Sequence, residues 1–372
     1  MSVNTILLDL CVDSSVFQTQ KDKNEVLDTA EGILKNHLPD LAHVLSCTLV
    51  DGMMRFYKIK EKVLVSFRMY RSGFITINIE FYTEENEEPF ISFNCSKLLE
   101  QKLKSGLNSP RSRLLPFIKR GATFEIYYTT SDERLIEYDF DKMVFEEQSP
   151  YQKVQIVHSK TLGNMLILDD LQNIAESDLI YTETLMSKHK ENYKDKDIVI
   201  LGGGDGALLY ELLKQKPKNI IMLEIDETVM KACSKYMRSI CGDVLDTYQG
   251  KNYQIIVGDC MKTLDTYIDE EKKFDYVFAD LTDVPISEEP SSELWTFINL
   301  ILQKSFKVLK PTGKFMTHII GSVMKDTIKQ YQECLDNLDP PVTYTMSNAF
   351  VPSFVELWEF CQVRFKSDEK NE

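Results

Sequence analysis

The chain has 372 residues, of which 43% are hydrophobic and 27% charged, the composition of a folded globular protein with room for two or three domains. Acidic residues outnumber basic ones by 58 to 43, a formal net charge of −15 that repels nucleic acid and the anionic membrane leaflet. No run reaches the roughly 18 apolar residues of a membrane span, and MSVNTILLDLCVDSS has no basic residue ahead of its apolar run, so neither a membrane partner nor a secretory signal is expected.

In chain order, Val26, Ala30, Ile33, Leu34 and Leu38 recur at helical spacing and predict a helix over 24–38. From Phe74 to Tyr82 the period becomes two, with Ile75, Ile77, Ile79 and Phe81 on one strand face, and an acidic turn over 84–89 ends the strand. A helix near 95–104 gives way to KSGLNSPRSR, whose Gly, Ser and Pro predict a linker. Residues 1–115 thus read as a small α+β unit. Over 116–172, the runs TFEIYYT, RLIEYDF, KMVFEEQ, KVQIVH and NMLIL have the spacing of antiparallel strands. From 173 to 367 strands alternate with helix-length segments, the strands at 197–201, 219–223, 253–257, 274–279 and 314–319, with a terminal hairpin at 342–350 and 354–365. The fold class is α/β, with a Rossmann-like parallel sheet covered by helices.

Eight cysteines, at 11, 47, 95, 233, 241, 260, 334 and 361, form no CxxC pair, and the five histidines have no ligand spacing with them. Reduced thiols, no metal site and a cytoplasmic setting are expected. His158 and His318 lie in strand-like runs and are expected to be structural.

The chemistry concentrates in DIVILGGGDGALLYELLK, where an apolar strand runs into Gly202, Gly203, Gly204 and Gly206 and then into a helix. Such a turn lets a ligand approach the backbone at a helix N-terminus. Asp205 within it would repel a pyrophosphate, and no GK[ST] follows; the residue either caps the helix or faces a cation. Glu224 ends the second strand about 20 residues later, where a carboxylate accepts both hydroxyls of a ribose. Asp259 follows the third strand, in reach of an adenine amino group, and Asp280 ends the fourth. Acids at successive strand ends line the crevice of an open parallel sheet. The implied ligand is a nucleoside bearing a cation, the S-adenosylmethionine class.

These residues resemble the polyamine synthase (aminopropyltransferase) family over about 121–364, on Ser149-Pro150-Tyr151-Gln152, LGGGDGA, the Glu224 and Asp259 positions, and Asp280. Spermidine-forming members follow the fourth-strand Asp with Ser-Ser-Asp-Pro. Asp280-Leu281-Thr282-Asp283-Val284-Pro285-Ile286 and VPSFVELW at 351–358 resemble the spermine-forming members instead. The N-terminal third is similar to their extra domain, which resembles S-adenosylmethionine decarboxylase in fold and forms a homodimer. No Glu-Ser-Ser processing site is present there, so decarboxylase activity is not expected.

The resemblance implies a class I methyltransferase-type Rossmann-like domain after a small β-rich domain, no cofactor, decarboxylated S-adenosylmethionine as co-substrate and spermidine as acceptor. It implies that Gln152 and Glu224, with Gly202 and Gly204, hold the nucleoside sugar and neighbouring atoms, and that Asp259 and the Cys260 backbone meet the adenine. Tyr181, Asp205 and Glu356 would hold the polyamine, and Asp280, with Asp205 close by, would take the proton. Phe354 stands where the family has a tyrosine, which removes a polar contact to the acceptor. Asp178 is expected to join Glu356 on the non-reacting ammonium groups. Transfer to putrescine and methyl transfer are the competing reactions.

Overall fold

The computed structural model describes residues 2–84, 87–281 and 293–366, and its contacts group them into two units, Met1–Glu125 and Ile126–Glu372. The first unit is an antiparallel sheet with two helices. Its strands are β1 (Ser2–Cys11), β2 (Leu41–Leu49), β3 (Gly52–Ile59), β4 (Val63–Tyr70), β5 (Phe74–Thr83), β6 (Ser112–Leu114) and β7 (Ile118–Arg120), and its helices α1 (Gln20–His37) and α2 (Phe93–Gly106). The order is β2-β3-β4-β5-β1-β6, with β7 also on β1. Ile6, Leu8 and Leu10 of β1 join Ile75, Ile77, Ile79 and Phe81 of β5 in a core completed by Leu27 and Leu34 of α1 and Leu99 and Leu103 of α2. Each such buried side chain contributes about 1.5–3 kcal/mol relative to exposure, which fixes the alternate-residue face.

The helix expected at 24–38 starts earlier, because the Thr19 hydroxyl accepts the Asp22 N–H and caps the chain there. The expected linker KSGLNSPRSR is not one. Its first residues finish α2 and its last begin β6, where Leu8 pairs with Leu114 and Leu10 with Ser112. Pairing to a central strand overrides the local turn composition. The turn expected at 84–89 lies partly outside the described residues.

The second unit opens with a hairpin, β8 (Tyr127–Thr129) and β9 (Leu135–Glu137), and a four-stranded meander, β10 (Phe140–Gln148), β11 (Lys153–Ser159), β12 (Gly163–Leu168) and β13 (Leu171–Ala175). Helix α3 (Leu179–Leu185) leads into alternating strands and helices: β14 (Asp197–Gly202), α4 (Ala207–Leu213), β15 (Asn219–Glu224), α5 (Glu227–Tyr236), α6 (Arg238–Cys241), β16 (Tyr253–Val257), α7 (Cys260–Asp269) and β17 (Phe274–Asp280). After these come α8 (Glu293–Val308), β18 (Leu309–Gly321), α9 (Lys325–Asp336), β19 (Val342–Val351) and β20 (Glu356–Phe365). The sheet order is β16-β15-β14-β17-β18-β20-β19, parallel through β18, with β20 antiparallel between β18 and β19. Ile198, Val199, Ile200 and Leu201 are all fully buried. Successive strand residues face opposite ways, so both faces of β14 are covered.

β14 lies mid-sheet; the chain winds outward to β16 and then returns to β17 on the other side of β14. That reversal opens a crevice at the carboxyl ends of these strands. In the terminal hairpin, Val351 pairs with Glu356. The second strand therefore begins later than expected, and Phe354 belongs to the connecting turn.

Candidate active site

β14 runs into its glycine turn beside the end of β17. Gly202 has φ +80°, and a Cβ there would stand 2.2 Å from the Asp280 carbonyl oxygen, while the Gly203 N–H donates to that carbonyl at 3.0 Å. At Gly204 a Cβ would meet Glu224 Oε2 at 2.8 Å. The glycines therefore bring the ends of three strands to van der Waals contact. Asp205 Oδ1 accepts the Ala207 N–H at the start of α4 at 2.8 Å, and the residue also lines the crevice. Capping and cavity exposure coexist. Burial pushes its carboxyl up.

Glu224 Oε1 accepts the Asp226 N–H at 2.8 Å. Burial, reinforced by Asp226 and Asp205, moves its carboxyl up to about 7. Asp259 caps α7 through the Met261 N–H at 2.8 Å while lining the same cavity. The Cys260 thiol is pushed to about 11 by burial, so it is no nucleophile. Gln152 reaches the cavity from the β10–β11 turn, and its amide donates to Asp226 Oδ2 at 3.0 Å beside the Ser149 hydroxyl at 2.7 Å. Asp226, buried and capping α5, thus orients Gln152. Asp226 is not among the residues expected from the sequence, although an acid between a strand end and a helix start is a capping signal.

The opposite wall is aromatic. The Tyr181 hydroxyl donates to Asp280 Oδ1 at 3.2 Å. Its ring lies 6.2 Å from that of Phe354, edge to face, and 5.6 Å from the imidazole of His318. His318 was expected to be structural; it hydrogen-bonds internally and also lines the cavity. The Trp358 indole N–H donates to its Nδ1 at 3.4 Å, so the ring proton sits on Nε2, which donates to the Leu281 carbonyl at 2.9 Å. Asp280 is thereby held through Tyr181 and through its chain neighbour. His158 is half-exposed and pairs with Asp141 at 2.7 Å on the meander.

Two expected ammonium ligands are placed away from the cavity wall. Asp178 is buried and accepts from the Ala175 N–H at 2.7 Å, the Ser353 N–H at 3.0 Å and the Ser353 hydroxyl. That carboxylate is committed within the protein, which corrects the expectation of a polyamine contact. Glu356 Oε2 accepts the Ser131 N–H at 2.9 Å. Its buried Oε1 has no hydrogen-bond donor among the described residues and pairs with the Arg134 guanidinium at 4.0 Å. The Thr282–Ile286 part of the acceptor motif lies outside the described residues.

The cavity measures about 660 Å³, within the range for small-molecule sites. Asp205, Glu224, Asp259 and Asp280 line it, and no lysine or arginine is among the described residues that do so. Four carboxylates with no lysine or arginine beside them among the described residues favour a cation over a phosphate.

Fold and cavity together define an α/β protein with a carboxylate-lined crevice at the carboxyl ends of its parallel strands. A spermine/spermidine synthase domain matches residues 178–371, and a spermidine synthase tetramerisation domain matches 124–176. The chain belongs to the spermine/spermidine synthase family and is a polyamine aminopropyltransferase. It is 33% identical over 238 residues to the polyamine aminopropyltransferase of Sulfurisphaera tokodaii, covering 62% of this chain and 73% of that one. It is 25% identical over 236 residues to the thermospermine synthase ACAULIS5 of Arabidopsis thaliana, covering 62% and 66%. The fold matches the crystal structure of spermidine synthase from Thermotoga maritima with a TM-score of 0.51, at 20% identity, over 66% of this chain and 80% of that one.

Proposed function

We propose that the chain is a spermine synthase, transferring the aminopropyl group of decarboxylated S-adenosylmethionine to spermidine. The observation that carries this reading is the cavity wall of Asp205, Glu224, Asp259 and Asp280, with no lysine or arginine among the described residues that line it, which suits a sulfonium nucleoside and a polycation together.

In this reading Glu224 accepts from the ribose, Gln152 orients the neighbouring atoms, and Asp259 meets the adenine. The acceptor lies along Tyr181 and Phe354, with Asp205 near its reacting end. Its amine attacks the carbon bound to the sulfonium: the N–C bond forms, the C–S bond breaks, and the electron pair stays on sulfur as neutral methylthioadenosine. The amine must first lose a proton, at a cost of roughly 4 kcal/mol for an ordinary ammonium at neutral pH. Carboxylates that bind the ammonium also raise that cost. Tyr181 and the surrounding rings desolvate the reacting nitrogen, the adjacent sulfonium favours its neutral form, and Asp280 receives the proton. Holding both reactants in line supplies much of the remaining acceleration.

The first unit, in the same reading, forms the homodimer and is related in fold to S-adenosylmethionine decarboxylase; sedimentation of the chain with and without residues 1–125 tests the former. The activity is tested by incubating purified protein and decarboxylated S-adenosylmethionine with either spermidine or putrescine, and separating products by chromatography and mass spectrometry. Spermine from spermidine alone is the expected result. Spermidine from putrescine overturns the acceptor assignment, as does thermospermine, an isomer that only the chromatographic step distinguishes.

A further inference from the structure

The turn joining β19 to β20 carries Phe354 into the cavity and is fastened at Ser353, the residue before it. All three polar groups of this fully buried serine are engaged. Its N–H donates to Asp178 Oδ1 at 3.0 Å, its hydroxyl donates to Asp178 Oδ2, and its carbonyl accepts from the Tyr138 hydroxyl. Tyr138 is in turn held by the Gln172 amide at 3.3 Å. On the other side of Phe354, Val355 has φ +56°, a conformation that a β-branched residue avoids. Such strain persists where surrounding contacts over-determine the backbone, and it clusters at ligand clamps.

Asp178 is the residue immediately before α3, which carries Tyr181 one turn later. Its carboxylate therefore ties the start of the Tyr181 helix to the turn that presents Phe354.

We propose that Asp178 and Ser353 are positioning residues that set the gap between Tyr181 and Phe354, and through it the enzyme's choice among polyamine acceptors. The inference rests on the reading of that wall as the acceptor site. Neither residue touches the acceptor. Their effect passes through Phe354, which packs against Tyr181 and, at 4.6 Å, against Trp358.

The test uses the full chain with Ser353→Ala, Asp178→Asn and the double variant. Three quantities are measured: KM for spermidine and for putrescine, methylthioadenosine Kd by calorimetry, and amide hydrogen exchange over 351–356. Each single variant should raise the spermidine KM roughly tenfold and lower the preference for spermidine over putrescine, as expected for loss of hydrogen bonds to a buried carboxylate. The double variant should do little more than the stronger single one, because both disrupt the same Ser353 hydroxyl–Asp178 contact. Methylthioadenosine Kd should stay within about twofold, while exchange over 351–356 accelerates. Unchanged exchange overturns the clamp, and so does a KM that rises only in step with the nucleoside Kd. Should the wild type accept neither polyamine, the acceptor reading has failed. Hydrogen exchange then still decides whether Asp178 and Ser353 hold the turn.

Discussion

On the side of Glu224 and Asp259, the cavity wall is assembled from successive strand ends, each βα unit delivering one side chain a few residues from a buried strand. On the side of Tyr181 and Phe354, the wall depends on contacts between distant segments: Ser353 with Asp178 across 175 residues and Ser353 with Tyr138 across 215. The first wall inherits its geometry from the parallel sheet. The second is set by side-chain hydrogen bonds that single substitutions alter.

Asp280 stands between the two walls and should give the largest effect. Asp280→Asn is expected to lower kcat by about 10²–10⁴ with both substrates still binding, as for loss of a proton acceptor; single-turnover assays and calorimetry check the pair. Turnover near wild type with the fold intact would remove Asp280 from the mechanism.

The nucleoside wall has a pH signature. Glu224 moves from an ordinary 4.5 to about 7 on folding, so between these values the folded, ligand-free chain binds more protons than the unfolded one. Its contribution to stability is fully present below pH 4.5 and is lost as pH rises through 7, a change of roughly 3 kcal/mol. Glu224→Gln should flatten that part of the stability profile, which thermal unfolding from about pH 5 to 8 measures.

On the acceptor wall, His318→Leu removes both the donor to Leu281 and the acceptor for Trp358. It should lower kcat about tenfold, whereas His318→Gln, which carries one donor and one acceptor, should recover most of it. Equal losses in the two variants would show that ring packing, not hydrogen bonding, matters there. The smallest effect is expected for Phe354→Tyr, a fall in spermidine KM of roughly threefold if the added hydroxyl reaches the acceptor.

The same contrast explains what the sequence made legible. The strands of the parallel sheet and the acids at their ends were readable, because a buried strand followed by a glycine turn or a capping acid is a local signal. Gln152 was reached through resemblance, but Asp226, which orients it, was not found. Asp178 was assigned to the ammonium groups because its chain neighbours do not reveal Ser353. In the first unit β5 was evident from its alternation. β1, which pairs with it over Ser2–Cys11, went unread as a strand, and β6 was hidden inside a Gly-, Ser- and Pro-containing run.

The division of the cavity is tested most directly by calorimetric titration of methylthioadenosine into the wild type, Glu224→Gln and Glu356→Gln. Glu224→Gln should weaken binding by about 10- to 100-fold, the range for losing hydrogen bonds to a charged acceptor, while Glu356→Gln should leave it unchanged. Equal weakening in both variants, or none in Glu224→Gln, would contradict a nucleoside wall distinct from an acceptor wall.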